Sequence, residues 1–175
     1  FQVIRPLQTV TDPDTGKPLA LTSLRVGIAR RLDSGSDAGH AFKLTASDAE
    51  IMIGDRLIPW AELEQQRWWP HPAPAVSGRV AAVIRGSTWA SVNDVVAINR
   101  GRQQGLDTGS VVAVVRQVRI YDDVNQRATY TLMPEEIATL LVFDVADAAA
   151  LALVMHAKDS FTIGDTVESV DKDMR

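Results

Sequence analysis

The sequence predicts a mainly β protein with two related barrel-like or sandwich β units, which arise from an internal duplication and are joined by a Trp/Pro-rich linker. Two observations support this prediction. Short apolar and β-branched segments alternate with turns that contain Gly and Asp. In addition, the triplet Ile-Gly-Asp at residues 53–55 recurs at 163–165, which is 110 residues later.

The duplication sets the expected organisation of the chain. The first β unit covers residues 1–59, the linker 60–75, the second β unit 76–170 and a polar tail 171–175. The second unit opens with residues 79–108, whose counterpart in the first unit would lie before Phe1. We therefore expect the first unit to be an N-terminally incomplete copy of the second.

Composition limits the class of protein. The 175 residues are 46% hydrophobic, which is typical of a globular chain. A net charge of −4 argues against a nucleic-acid partner, and no apolar run reaches the ~20 residues that span a bilayer. The absence of cysteine rules out disulfides, thiol nucleophiles and metal sites with Cys ligands.

In the first unit, turn signals separate the expected strands. Residues 1–6 are extended and β-branched, and the Asp- and Gly-containing segment 12–16 predicts a hairpin turn. Residues 24–31 alternate apolar with small or basic side chains, as a half-buried strand does. A short strand at 41–44 and a Gly-Asp turn within 51–59 complete the unit.

In the second unit, residues 79–84 and 94–99 predict a hairpin across the turn that contains Gly86. Residues 101–109 form a loop in which Gly101, Gly105 and Gly109 are expected to have positive φ. Residues 111–115 are continuously apolar, which is typical of a strand covered on both faces.

Residues 137–157 are ambiguous, because an acidic start and many Ala residues are also compatible with a helix. The counterpart in the first unit contains the Asp-Ser-Gly-rich segment 33–39, which cannot lie inside a helix. We therefore predict two strands, 139–146 and 151–156, with a turn near Asp147. The alignment places residues 24–30 near 140–146 if a few residues are inserted.

No pattern indicates catalysis, a metal or a cofactor, and we predict a non-enzyme. The glycine loop 101–109 fits neither nucleotide-binding pattern. The segment 12–16 resembles the start of a calcium loop, but Ser23 stands where a bidentate Glu is needed. His40, His71 and His156 lack the spacing of a metal site or a catalytic triad.

Gly-Asp pairs predict structural turns instead. Asp55 and Asp165 each follow a Gly, where a carboxylate can accept backbone N–H bonds. The glycines that we assign to structural turns are Gly16, Gly54, Gly101, Gly105, Gly109 and Gly164.

The linker and one strand carry the candidate binding residues. Trp60, Trp68 and Trp69 lie within ten positions of one another. Burial of these rings against a β unit is favoured over an exposed platform for a sugar or a partner protein. Arg25 and Arg30, with Arg31 and Lys43, could gather on one sheet face as a weak site for an anionic glycan or an acidic partner. A solvated strand face is the favoured alternative.

Several of these motifs together resemble a known family. They are the segment 97–101, the glycines at 105 and 109, the strand 111–116 and the closing Ile-Gly-Asp at 163–165. In the first unit, segments 1–6, 12–16 and 51–59 match in the same way. This order resembles the C-terminal region of bacterial LysM-containing, peptidoglycan-associated cell-envelope proteins.

The resemblance implies a periplasmic or cell-envelope location and attachment to peptidoglycan through a LysM module. No LysM module is present in this chain, so glycan binding transfers to no residue here. We expect a non-catalytic module that scaffolds or binds an envelope protein. The alternative is a glycan-binding domain that uses the linker Trp cluster.

Overall fold

The computed structural model describes residues 1–32, 39–60, 69–84, 88–117, 119–121, 129–131 and 134–170. Their regular structure consists of β-strands and one 3₁₀ turn at Arg102–Gln104, so the predicted fold class is confirmed. No helix within these ranges is long and apolar enough to cross a membrane.

The chain divides into two compact units. The first unit consists of Phe1–Thr9 and Leu21–Gln66, and the second of Val10–Ala20 and Arg67–Arg175. The first two strands of the chain therefore contribute to both units, because the end of their hairpin belongs to the second.

The first unit is built on a curled antiparallel sheet that forms half a barrel. Its strands are β1 (Gln2–Thr11), β2 (Pro18–Arg31), β3 (Phe42–Ser47) and β4 (Arg56–Ile58), in the sheet order β3-β2-β1-β4. The buried core is small: Val3, Val26 and Ala29, with Phe42 and Ile51 packed against them.

The second unit holds the remaining strands. They are β5 (His71–Pro72), β6 (Ser77–Val83), β7 (Trp89–Ala90), β8 (Val95–Ile98), β9 (Ser110–Arg116), β10 (Arg119–Tyr121), β11 (Thr129–Thr131), β12 (Glu135–Val145), β13 (Ala150–Ala157), β14 (Phe161–Thr162) and β15 (Thr166–Ser169). The predicted hairpin is confirmed as the antiparallel pair β6–β8, although Gly86 lies outside the described residues. The two strands predicted within 137–157 are confirmed as β12 and β13.

Six of these strands close into a barrel in the order β12-β13-β8-β6-β15-β9, and β9 pairs back onto β12. Closure pairs every barrel strand on both sides, which leaves no open edge in the ring. Large apolar side chains fill the interior, among them Phe161, Ile98 and Leu140, each at most 1% exposed. The apolar strand 111–115 is confirmed as part of β9, between β12 and β15.

The four strands of the first unit match four strands of the barrel in order, direction and register. β1 and β4 pair Val3 with Leu57, and β9 and β15 pair Val114 with Val167. These partners are separated by 111 and 110 residues, as in the sequence alignment. The sheet order β3-β2-β1-β4 therefore reproduces the barrel order β13-β12-β9-β15.

A β-bulge also occupies the same place in both units. It falls between Ile28 and Ala29 in the pair β2–β3, and between Thr139 and Leu140 in the pair β12–β13. Ala29 is opposite Leu44, and Leu140 is opposite Val154. This register aligns residues 27–31 with 138–142, so the predicted match of residues 24–30 to 140–146 is wrong by several residues.

Candidate functional site

The two Gly-Asp turns have nearly the same geometry. Asp55 Oδ2 accepts the N–H of Met52 at 2.8 Å, and Asp165 Oδ2 accepts that of Thr162 at 2.9 Å. Gly54 has φ +104° and Gly164 φ +93°, a backbone region that glycine enters without steric cost. The prediction that these carboxylates accept backbone N–H bonds is confirmed.

The second unit contains two more turns of this kind, which the sequence analysis missed. In residues 91–94, Asp94 Oδ2 accepts the N–H of Ser91 at 2.8 Å, and Asn93 has φ +72°. In residues 107–110, Ser110 Oγ accepts the N–H of Asp107 at 3.2 Å. The available signal was an Asn-Asp or Gly-Ser pair directly before an apolar run.

An arginine two or three residues beyond the paired valine reaches the Gly-Asp turn in each unit, but it bonds differently. Arg5 contacts both oxygens of Asp55, at 2.9 and 2.8 Å. Arg116 instead donates to Asp159 Oδ2 at 2.7 Å and to the Ser160 carbonyl at 2.9 Å, and its Nη2 lies 3.7 Å from Asp165. The second arginine is therefore shared between two carboxylates.

This shared arginine lines an open cleft of about 480 Å³ in the second unit. Its lining residues are Trp89, Arg116, Asp159, Ser160, Thr162 and Asp165. Trp89 is 56% exposed and is held beside the cleft by the β7–β14 pair, in which it faces Thr162. An indole face next to charged and hydroxyl groups is suited to a polar ligand with an apolar side, such as a sugar.

The cleft lacks a proton donor suited to neutral pH. The Arg116 guanidinium, followed by the Ser160 N–H, holds the pKa of Asp159 below its ordinary value. Asp159 is therefore ionised near neutral pH, whereas a general acid must carry a proton there. The arrangement favours binding over acid–base chemistry.

A Ser-His-Asp cluster, which spacing did not reveal, lies where β5 meets the turn 107–110. His71 Nε2 is 2.9 Å from Asp107 Oδ1, and its Nδ1 is 3.0 Å from the Trp69 carbonyl oxygen. Ser110 Oγ donates to the same Asp107 oxygen and lies 3.5 Å from His71 Nε2. A catalytic triad needs the imidazole between the hydroxyl and the carboxylate, and here Asp107 occupies that position.

The protonation of this cluster also differs from that of a triad. Both ring nitrogens of His71 face oxygen acceptors, first the Trp69 carbonyl and then Asp107, and they raise the pKa of the imidazole. The Ser110 hydroxyl and then His71 lower the pKa of Asp107. Ser110 is fully buried. The cluster therefore fastens residues 69–73 to β9, together with the backbone bonds from His71 to Gly109 and from Ala73 to Val111.

The predicted binding residues do not form the expected sites. Trp69 is 77% exposed, so the expectation of burial is wrong for this ring, and Trp60 is 48% exposed. Trp68 lies outside the described residues. Burial fails at Trp69 because the His71 cluster fixes the backbone there, while Ala73, at 8% exposure, is the residue that packs into the barrel.

The predicted cationic face is also wrong in its composition. Arg30 lies opposite Lys43 across β2 and β3, but Arg31 follows Arg30 in the strand and points to the other face. Arg31 contacts the His40 ring at 2.8 Å. Arg25 is exposed and pairs with Asp48 at 3.0 Å.

Most of the predicted turn glycines have positive φ: Gly16, Gly54, Gly105, Gly109 and Gly164. Gly101 is the exception, with φ −146°, so the expectation of positive φ is wrong there. Its requirement is space, because a Cβ at this position would lie 2.3 Å from the Ala146 carbonyl oxygen.

Within the described ranges, no three His, Asp or Glu side chains converge as a metal site. The geometry thus presents the Trp89 cleft, the exposed Trp69 ring and the half-barrel of the first unit as candidate binding surfaces. The sequence of the chain matches no protein-family model and no curated protein.

Proposed function

We propose that this chain is a non-catalytic module of the bacterial cell envelope that scaffolds or binds another protein. In this proposal it is the protein-binding part of a peptidoglycan-associated, LysM-type protein and works in the periplasm or cell envelope. Its placement in the envelope, and the attachment to peptidoglycan through a LysM module outside this chain, rest on the sequence resemblance alone.

The observation that supports protein binding is a difference in burial at matching positions. Leu44 of the first unit is 52% exposed, and Val154, its counterpart in the barrel, is fully buried. Leu57 is 41% exposed, and its counterpart Val167 is 2% exposed. Apolar side chains at barrel-interior positions that remain exposed are typical of an interaction surface.

The matched registers, the shared bulge position and the two Gly-Asp turns support a common origin of the two units. We include internal duplication in the proposal, because these features depend on many separate residues. Under duplication, Leu44 and Leu57 retain the apolar character of barrel-interior positions.

Photo-crosslinking tests protein binding directly. A photoreactive phenylalanine analogue replaces Leu44 in the full chain, and the matched control carries it at Ile163, an exposed turn residue (50%) of the second unit. After illumination in a bacterial envelope extract, we expect a discrete protein adduct at position 44 and none at 163. Equal labelling at both positions, or none at position 44, would contradict the proposal.

Glycan binding is the second candidate, and the exposed Trp69 and Trp89 rings are the observation that favours it. Trp60, Trp69 and Trp89 are each replaced by Ala, and binding of soluble peptidoglycan fragments is measured by calorimetry. If one ring stacks on a sugar, its loss weakens binding by about 2 kcal/mol, or roughly thirtyfold. Met155→Ala, at an exposed position of β13, is the control.

A further inference from the structure

The first unit lacks counterparts of two adjacent barrel strands. In the barrel, β8 and β6 lie between β13 and β15 and complete the ring. The described part of the first unit contains counterparts of β13, β12, β9 and β15, namely β3, β2, β1 and β4. The missing element is therefore an antiparallel strand pair between β3 and β4.

The burial of the two outer strands agrees with this gap. In β3 only Phe42 is half-buried, and residues 43–47 are exposed, as are all three residues of β4. In the barrel, β13 buries Ala150, Ala152 and Val154, and β15 buries Val167. Among the described residues, no strand pairs with the outer edge of β3 or of β4. Such edges are templates for a further strand.

We propose that the first unit accepts a β-hairpin of a partner polypeptide, which inserts between β3 and β4 and closes a six-stranded barrel. This rests on the proposed protein-binding function and names the kind of segment that binds. The second unit shows the geometry: β8 runs antiparallel to β13, and β6 runs antiparallel to β15. Main-chain bonds along both edges supply affinity, and side chains supply specificity.

The interior of the barrel defines the inward face of this hairpin. Val80, Val83, Val96 and Ile98 are the inward residues of β6 and β8, and each is at most 4% exposed. An accepted hairpin needs similar β-branched residues at alternate positions, where they would cover Leu44 and Leu57.

Charge on the first unit defines the outward face. Lys43 matches Leu153, which pairs with Val95, and Arg56 matches Thr166, which pairs with Arg79. Within the described ranges neither Lys43 nor Arg56 has an ion-pair partner. The partner hairpin therefore carries acidic residues at the positions equivalent to Val95 and Arg79. Opposite charges directly across two strands stabilise the pair.

A peptide made from this protein tests the proposal. Residues 77–99 are synthesised with Arg79→Glu and Val95→Glu, and a terminal disulfide holds the strands together. Such a link is compatible with the hairpin because the Asn99 N–H donates to the Arg79 carbonyl at 3.0 Å. Binding to the full chain is measured by calorimetry. A peptide with Lys at both positions is the matched control, and it should bind at least about tenfold more weakly.

Two chain variants and hydrogen exchange locate the peptide. Leu44→Lys should abolish binding, whereas Ile163→Lys should leave it unchanged. Amides of both Phe42–Ser47 and Arg56–Ile58 should gain protection, while those of β13 and β15 do not change. Protection of one edge alone would overturn hairpin closure in favour of single-strand addition. Dimerisation of the chain through the same edges, detected by light scattering, would overturn it in favour of a second copy.

The outcome separates this proposal from the function on which it rests. If the acidic peptide does not bind but position 44 still crosslinks to an envelope protein, the hairpin is the wrong occupant and protein binding remains supported. If neither occurs, both proposals are wrong. If the peptide binds and protects both edges, the hairpin is supported whichever envelope protein supplies it.

Discussion

Arg5 and Asp55 form a two-point ion pair that joins β1 to the Gly-Asp turn before β4. Nε lies 2.9 Å from Oδ1, and Nη2 lies 2.8 Å from Oδ2. The Asp55 side chain is 4% exposed, and Arg5 also donates to the Glu50 carbonyl at 2.6 Å. In the second unit Arg116 is drawn to Asp159, so the same place in the fold holds a closed pair in one unit and an open cleft in the other.

Asp55→Asn should therefore lower the melting temperature more than Asp165→Asn at neutral pH. Both variants keep an oxygen for the N–H of the turn, but only Asp55→Asn loses a two-point ion pair. The Arg5 guanidinium, followed by the Met52 N–H, lowers the pKa of Asp55. Its contribution is thus present above the ordinary pKa of about 3.9 and is lost as the pH falls through the lower folded value. Thermal melts at neutral and acidic pH check both statements, and a difference between parent and Asp55→Asn that persists in strong acid would contradict them.

His71 should give the stability of the second unit the opposite pH dependence. Its pKa is raised by the Trp69 carbonyl and by Asp107, so its contribution is complete below the ordinary value of about 6.5. It is lost as the pH rises through the raised folded pKa. NMR titration of the His71 ring should give a pKa above the ordinary value, and Asp107→Asn should lower it. An imidazole that titrates below 6.5 would show that the cluster does not hold a charged ring.

The sequence predicted the local elements well, because their causes are local. Gly-Asp pairs require a particular turn, and alternating apolar residues require a half-buried strand. The alignment between the units was sufficient to identify β12 and β13 as strands in spite of their Ala-rich, helix-compatible composition. Trp69 was mispredicted because its exposure depends on bonds between His71 and residues 36 to 39 positions away, a relation that no local pattern records.

The register of β2 against β12 was missed for a different reason. A β-bulge adds one residue to one strand of a pair, and no residue type marks its position. The sequence alignment therefore inserted several residues where the structure needs none. The Trp89 cleft was not predicted because it is formed by β7, β9 and the turn before β15, which are brought together only by barrel closure.

Glycines that the fold requires for different reasons should respond differently to Asn. Gly164 has φ +93° and open space around its Cβ position, and Asn93 occupies the same turn position in residues 91–94. Gly164→Asn should therefore destabilise the protein less than Gly164→Ala, because Asn tolerates the left-handed region. Gly101→Ala should cost about 1–3 kcal/mol by overpacking, and Gly101→Asn should cost no less. Urea unfolding of the four variants measures this, and rescue of position 101 by Asn would contradict the steric explanation.

Leu44 and Val154 occupy matching positions and should respond in opposite ways to the same substitution. Val154 is fully buried in the barrel, so Val154→Lys places a charge without a partner in an apolar interior and should cost several kcal/mol. Leu44 is 52% exposed, so Leu44→Lys should change the unfolding free energy by no more than about 0.5 kcal/mol. Denaturant melts of the two variants make the comparison, with Leu57→Lys and Val167→Lys as a second pair. A large loss of stability in Leu44→Lys would mean that its side chain is already covered within the chain, and the half-barrel would then offer no surface to a partner.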